Sequence, residues 1–80
     1  MKDYLDKIRG KLADEVEDSM EYSHLAKEAM ESGDDAYAHV LKDMAEEEYE
    51  HAKHIEYILD RSGVQHPDMH EKMAMVRKNL

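Results

Sequence analysis

The sequence predicts an all-α protein with two long helices and one short helix. No segment shows the period-two alternation of a strand, and the chain contains no phenylalanine or tryptophan. The chain has three glycines and one proline, and all of them except Gly10 lie in two short segments, ESGDDAY and RSGVQHPD. Between these segments apolar residues recur every three or four positions, as on one helix face. We expect helices over 3–32, 35–61 and 67–79, in one domain of residues 1–80.

The first helix carries an unbroken stripe at spacings of three and four. Its members are Leu5, Ile8, Leu12, Glu15, Ser19, Tyr22, Ala26 and Ala29. Glu15 is the one charged residue among them, and the small residues at 19, 26 and 29 allow another helix to approach closely. Gly33 is placed to end this helix, because glycine readily adopts the left-handed conformation at a helix C-terminus.

The second helix is expected to begin at an N-cap aspartate, Asp34 or Asp35, and to end at Gly63. Its predicted apolar stripe comprises Tyr37, Leu41, Met44, Ile55 and Ile58. Continued through the gap, the same spacing reaches Glu48 and His51 in EYEH. The stripe is therefore interrupted by two polar residues that are both capable of binding a metal ion.

The short SGDD segment makes the two long helices antiparallel. Glu15 precedes Gly33 by 18 residues and Glu48 follows it by 15. At about 1.5 Å per residue the two glutamates differ in height by only about 5 Å. The third helix begins at Pro67, and its stripe of Met69, Met73, Val76 and Leu80 is typical of a packing face.

Length and charge limit the classes of function. Eighty residues bury little surface, and without cysteine the chain must gain stability from a metal ion, a partner chain or both. A net charge of −9 excludes nucleic acid and anionic membranes as favoured partners. No apolar run is long enough for a signal peptide or a membrane span, so a cytoplasmic location is expected.

Glu15, Glu48 and His51 are the predicted metal ligands. A buried, unpaired carboxylate costs several kcal/mol, and no lysine or arginine is placed on these stripes to neutralise it. The mixed oxygen and nitrogen donors suit iron or manganese better than magnesium. The same Glu-x-x-His spacing occurs in EYSH at 21–24, but those residues point away from the stripe. The motif alone therefore does not identify a metal site.

The remaining polar residues are interpreted as surface residues. His24 and His39 are expected in solvent, and Glu50 with His54 as a solvated pair. His66 and His70 flank Pro67, which disfavours helical geometry at residue 66, so we do not expect them to share an ion.

These residues carry a resemblance to a known family. Glu15, Tyr22, Ala26 and Gly33, followed by AEEEYEHAKHI at 45–55, resemble the ferritin-like superfamily and its rubrerythrin-type hairpin. The resemblance covers roughly residues 12 to 59. The half-length chain with a short third helix is similar to encapsulated ferritin. It departs from rubrerythrin in having one ligand-bearing hairpin and no cysteine for a rubredoxin domain.

The resemblance implies a homodimer or higher homo-oligomer in which two hairpins form a ferritin-like four-helix bundle. It implies two iron ions per dimer, with manganese or zinc as alternatives, bound by Glu15, Glu48 and His51 of both chains. The implied activity is ferroxidase chemistry, the oxidation of Fe(II) by dioxygen, in iron storage or detoxification. The implied second partner is an encapsulating protein shell, which would place the chain in a protein nanocompartment.

Two alternatives stay open. In the first, the chain is a non-catalytic acidic helical module that dimerises or docks a partner. In the second, it is a structural dimer that metal ions hold together without catalytic turnover. Tyr22 is interpreted either as a hydrogen-bond donor to a ligand carboxylate or as a packing aromatic.

Overall fold

The computed structural model describes residues 3–80, apart from the side chain of Pro67. These residues form three α-helices and no strand: α1 (Asp3–Glu31), α2 (Asp35–Ser62) and α3 (Pro67–Asn79). The all-α prediction is confirmed, with each helix boundary within one residue of its expected position. Within the same residues, no helix is both long enough and apolar enough to cross a membrane.

Two glycines in the left-handed region reverse the chain. Gly33 has a φ of +81°, and the N–H of Asp34 donates to the carbonyl of Ala29 at 2.8 Å. Gly63 has a φ of +74°, and the next residue, Val64, donates to Leu59 at 3.0 Å. Both arrangements satisfy carbonyl groups at the end of a helix, which is why each helix ends where the sequence predicts.

The core lies where α3 packs against the hairpin of α1 and α2. Its buried residues are Leu12, Val16, Ala52, Leu59, Met73 and Val76. Met69 and Leu80 contact this cluster from the ends of α3, so the predicted packing stripe of the third helix is confirmed. At its C-terminal end α3 accepts a hydrogen bond of 3.5 Å from the Ser23 hydroxyl to the carbonyl of Asn79.

The buried stripe of α2 differs from the predicted one by one residue. Its members are Ala38, Ala45, Ala52 and Leu59, each of which directly follows a predicted position at 37, 44, 51 or 58. One residue rotates a helix by about 100°, so the residues expected to be innermost lie to one side. Tyr37 and Ile58 are accordingly 70% and 40% exposed.

The small alanines explain this shift, because they let α1 approach α2 more closely than tyrosine or isoleucine would. The hydroxyl of Ser19, a completely buried residue of α1, donates to the carbonyl of Ala45 at 2.7 Å. The prediction ranked positions by apolar size, whereas close backbone approach is what buries a helix position here.

The hairpin has two faces, and α3 covers one of them. Met20 of α1 lines a small cavity together with Val76 of α3, and Lys53 of α2 lines the groove between α2 and α3. Five residues separate Glu15 from Met20 on α1, and Glu48 from Lys53 on α2. Five residues correspond to about 140° around a helix, so the members of each pair point to different sides. We call the side of Met20 and Lys53 the covered face and the side of Glu15 and Glu48 the open face.

Candidate metal centre

The open face brings together the three predicted ligands from two helices. One ligand atom from each of Glu15, Glu48 and His51 lies within 4.8 Å of the other two. Glu15 comes from α1, and the other two come from one turn of α2, where a spacing of three residues places them side by side. The antiparallel pairing of α1 and α2 sets the two carboxylates at the same height.

The histidine ring lies against both carboxylates. Its Nδ1 is 3.2 Å from Oε1 of Glu48 and 3.6 Å from Oε2 of Glu15. Oε2 of Glu15 is buried and has no hydrogen-bond partner among the described residues. No lysine or arginine of residues 3–80 forms an ion pair with either carboxylate. A buried carboxylate oxygen without a hydrogen bond is costly, so this one atom of Glu15 favours a bound cation.

The two carboxyl groups raise the proton affinity of the site. The pKa of Glu48 is raised above its ordinary value of 4.5, chiefly by the hydrogen bond that its protonated form makes with Glu15. Burial and the negative charges of Glu15 and Asp18 raise this pKa further, while His51 lowers it. Two carboxylates that repel each other in this way are arranged to share a proton or a metal ion.

His51 is less buried than predicted. Its side chain is 57% exposed, whereas those of Glu15 and Glu48 are 22% and 20% exposed. The one-residue shift of the α2 stripe accounts for the difference, because Ala52 takes the innermost position and turns His51 outward. The imidazole therefore forms the rim of the site and the carboxylates form its floor.

Residues expected on the surface are mostly found there. Glu21, His24, His39 and His54 are exposed. Glu50 is also exposed, but it pairs with Lys53 at 3.2 Å rather than with His54 as expected. Tyr22 is half-buried on the same face as Glu15, and its hydrogen bond to a ligand stays a prediction.

A second group of possible ligands lies on the covered face, contrary to expectation. Glu56, His66 and His70 each place one ligand atom within 4.8 Å of the others. The two histidines lie close together, with ring centroids 4.6 Å apart, although the sequence did not lead us to expect that they share an ion. As expected, His66 lies outside the helix, at the N-cap of α3, with a φ of −147°. Its ring nevertheless lies beside that of His70 in the first turn of α3.

The sequence did hold a signal for this group. Glu56 and Asp60 are four residues apart on α2, and His66 and His70 are four apart across Pro67. Such pairs become neighbours when two helices meet at a short turn.

Comparisons of the chain with protein-family models, with curated proteins and with solved structures give no match.

Proposed function

We propose that the chain is a ferroxidase-type iron-binding protein whose di-iron site forms between two copies. In this proposal Glu15, Glu48 and His51 of each copy bind iron, and the pair of sites oxidises Fe(II) with dioxygen. The product is ferric iron for storage or detoxification. Manganese and zinc are the alternative occupants, because the same donors accept them.

The convergence of Glu15, Glu48 and His51 is the observation that carries this proposal. Two carboxylates and one imidazole supply three of the four to six donors that iron or manganese takes. Bundle proteins with two bridged metals use one Glu from each of two helices and Glu-x-x-His from each of two others. One chain supplies half of that set, so a two-fold pair of chains supplies all of it.

The open face supports the second copy as the partner. Tyr4, Tyr37 and Ile58 are 54%, 70% and 40% exposed. Their helical spacing from Glu15 and Glu48 places them toward this side of the hairpin, along the helices on either side of the cluster. Exposed large apolar side chains beside a polar site are typical of a surface that another chain covers. The ligand carboxylates of two copies would repel each other there unless cations lay between them.

Bound iron would supply the redox chemistry, and the residues of the chain would hold and orient it. Glu15 and Glu48 offer oxygen donors on the floor of the site, and the exposed rim at His51 leaves room for a substrate molecule. In this proposal two Fe(II) substrate ions would each lose one electron to dioxygen, which would take up two protons and be reduced to hydrogen peroxide. The ferric product would then leave or stay at Glu15 and Glu48. Tyr22 would donate a hydrogen bond to a ligand carboxylate.

Anaerobic loading with Fe(II), followed by oxygen consumption on mixing with air, tests the proposal. Glu48→Ala and His51→Ala each remove a ligand, so we expect iron affinity to fall by more than the roughly 10 to 100-fold typical of outer-shell changes. The oxygen consumption that depends on iron should be lost with it. The matched control is the pair Glu21→Ala with His24→Ala, which removes the same spacing and charge from an exposed position.

The proposal is wrong if the control loses iron binding as severely as the ligand variants. Stoichiometric metal without oxygen consumption would instead identify a structural dimer stapled by metal. A purified chain that dimerises but takes up no iron, manganese or zinc would identify a non-catalytic docking module.

A further inference from the structure

We propose that Glu56, His66 and His70 form a second metal site, specific to a borderline divalent ion such as Zn²⁺, that fastens α3 to the hairpin. This site lies on the covered face, within a single chain, and does not depend on the iron chemistry proposed for the open face. Two imidazoles and one carboxylate are a donor set that zinc accepts with water as a fourth ligand.

The burial of His66 is the strongest observation. Its side chain is only 2% exposed, and its Nδ1 is buried with no hydrogen-bond partner among the described residues. A buried imidazole nitrogen without a partner is unfavourable unless it gives its lone pair to something. Ordinary packing alone would be served better by an apolar residue at this N-cap position.

Asp60 prepares the ring for a metal. Its Oδ1 lies 2.6 Å from Nε2 of His66, so the carboxylate holds the ring proton on Nε2. The lone pair is then on Nδ1, the nitrogen without a partner. Carboxylate–histidine pairs of this kind orient metal-binding imidazoles and raise their basicity. Asp60 is thus a positioning residue, while Glu56, His66 and His70 supply the donor atoms.

Glu56 and His70 complete the group from the two helices. Oε2 of Glu56 is buried, and Nδ1 of His70 lies 3.1 Å from it but not in the geometry of a hydrogen bond. Donor atoms bound to one tetrahedral zinc at about 2.0–2.2 Å are roughly 3.4 Å apart, so small rotations bring this group to bonding distance. The groove between α2 and α3, which Glu56 and His70 both line, is open to solvent and gives an ion access.

The position of the group gives the ion a structural role. Glu56 belongs to α2, His66 ends the connecting segment and His70 is in the first turns of α3. An ion bound to all three would join α3 to the hairpin at the end where the chain reverses. Because the site needs α3 in place, zinc binding stabilises the docked helix by mass action.

Zinc titration calorimetry tests this site in metal-free full-length protein carrying Glu48→Gln and His51→Ala, which removes two of the three open-face ligands. We expect one zinc ion per chain to bind to this parent protein. At zinc concentrations 100-fold above the dissociation constant, its melting temperature should rise by roughly 10 to 20 °C. Hydrogen exchange of the α3 amides should slow when zinc is added.

His70→Ala in the same parent protein should abolish the binding, the temperature shift and the added protection of α3. The side chain of His70 is 61% exposed, so the variant folds, and circular dichroism of the metal-free form verifies this. The matched control is His54→Ala, an exposed histidine of α2 outside both groups, which should bind zinc like the parent. Asp60→Asn should weaken binding by about 10 to 100-fold in a variant that circular dichroism shows to be folded.

A parent protein that binds no zinc would overturn the proposal. Equal zinc affinity in the His70→Ala and His54→Ala variants would overturn it as well, since binding would then be adventitious. Neither result would affect the iron proposal, because every protein in this experiment lacks Glu48 and His51, without which the open-face site is not formed.

Discussion

The two faces of the hairpin hold similar chemical groups in different states of burial. On the open face Glu15 and Glu48 meet a histidine that is 57% exposed, His51. On the covered face Glu56 meets a histidine, His66, whose side chain is 2% exposed. Each group contains a buried carboxylate oxygen without a hydrogen-bond partner among the described residues. The two groups thus differ chiefly in what lies over them.

The difference is due to α3, which covers one side of the hairpin and not the other. The covered face is completed within the chain, because α3 contributes His70 and buries His66. The open face receives nothing from α3, and its apolar side chains remain in contact with solvent. From this comparison we infer that a second chain does for the open face what α3 does for the covered one.

The largest expected effect is that of Glu15→Ala on ferrous oxidation. Glu15 is the only candidate ligand from α1, so its loss should reduce oxygen-dependent Fe(II) oxidation as severely as Glu48→Ala, by more than about 100-fold. The metal-free melting temperature should hold or rise, because the repulsion between the two carboxylates is relieved. Oxidation kinetics and thermal unfolding, measured on the same preparation, test both expectations.

Full oxidation activity in Glu15→Ala, or a metal-free form that unfolds because of the substitution, would show that Glu15 is structural. The matched variant is Glu21→Ala on the same helix, which removes one exposed carboxylate and should change neither measurement.

A smaller effect distinguishes the buried stripe of α2 from its neighbours. Ala45→Leu forces a larger side chain into the contact with Ser19, so the free energy of unfolding should fall by about 1–3 kcal/mol. Met44→Leu, a change of similar volume at a half-buried position one residue away, should cost less than about 1.5 kcal/mol. Urea unfolding of the two variants measures the difference, and equal losses would contradict the one-residue shift.

The smallest effect is the pH dependence contributed by Glu48. Since its pKa is raised above 4.5 in the folded chain, protonation of Glu48 adds stability that is present below about pH 4.5. This stability is lost as the pH rises through the raised pKa. The metal-free wild type should therefore lose stability relative to Glu48→Gln as the pH rises from about 4.5 through the raised pKa of Glu48.

Thermal unfolding of both metal-free proteins across this range measures the change. Curves that stay parallel would mean that the two carboxyl groups do not interact. Metal affinity should show the opposite trend and increase with pH, because the ion competes with the proton at Glu48.

The helices and the open-face group followed from the sequence because both depend on local rules. Glycines at 33 and 63 and a proline at 67 fix the helix ends, and helix rise alone sets Glu15 level with Glu48. The buried stripe of α2 did not follow, because it depends on how closely α1 approaches. The prediction favoured large apolar residues. It therefore missed the buried residues spaced seven apart, which are Ala38, Ala45, Ala52 and Leu59.

The covered-face group was missed for a related reason. The argument from Pro67 correctly took His66 out of the helix, but it did not anticipate how close the ring of His66 lies to that of His70. A residue at an N-cap is extended along the chain, yet its side chain can fold back over the first turn. The four-residue spacings of Glu56 with Asp60 and of His66 with His70 show which residues pair locally, but the two pairs meet only through the packing of α3 on α2.

A crystal structure grown with Fe(II) under anaerobic conditions tests the central claim, that the open face is half of a two-chain metal site. We predict two ions about 3.5–4 Å apart between two chains related by a two-fold axis. Glu15, Glu48 and His51 of both chains would bind them, with Tyr37 and Ile58 covered by the second copy. A single ion bound by one chain, or an open face left in solvent with metal at saturation, would contradict the account.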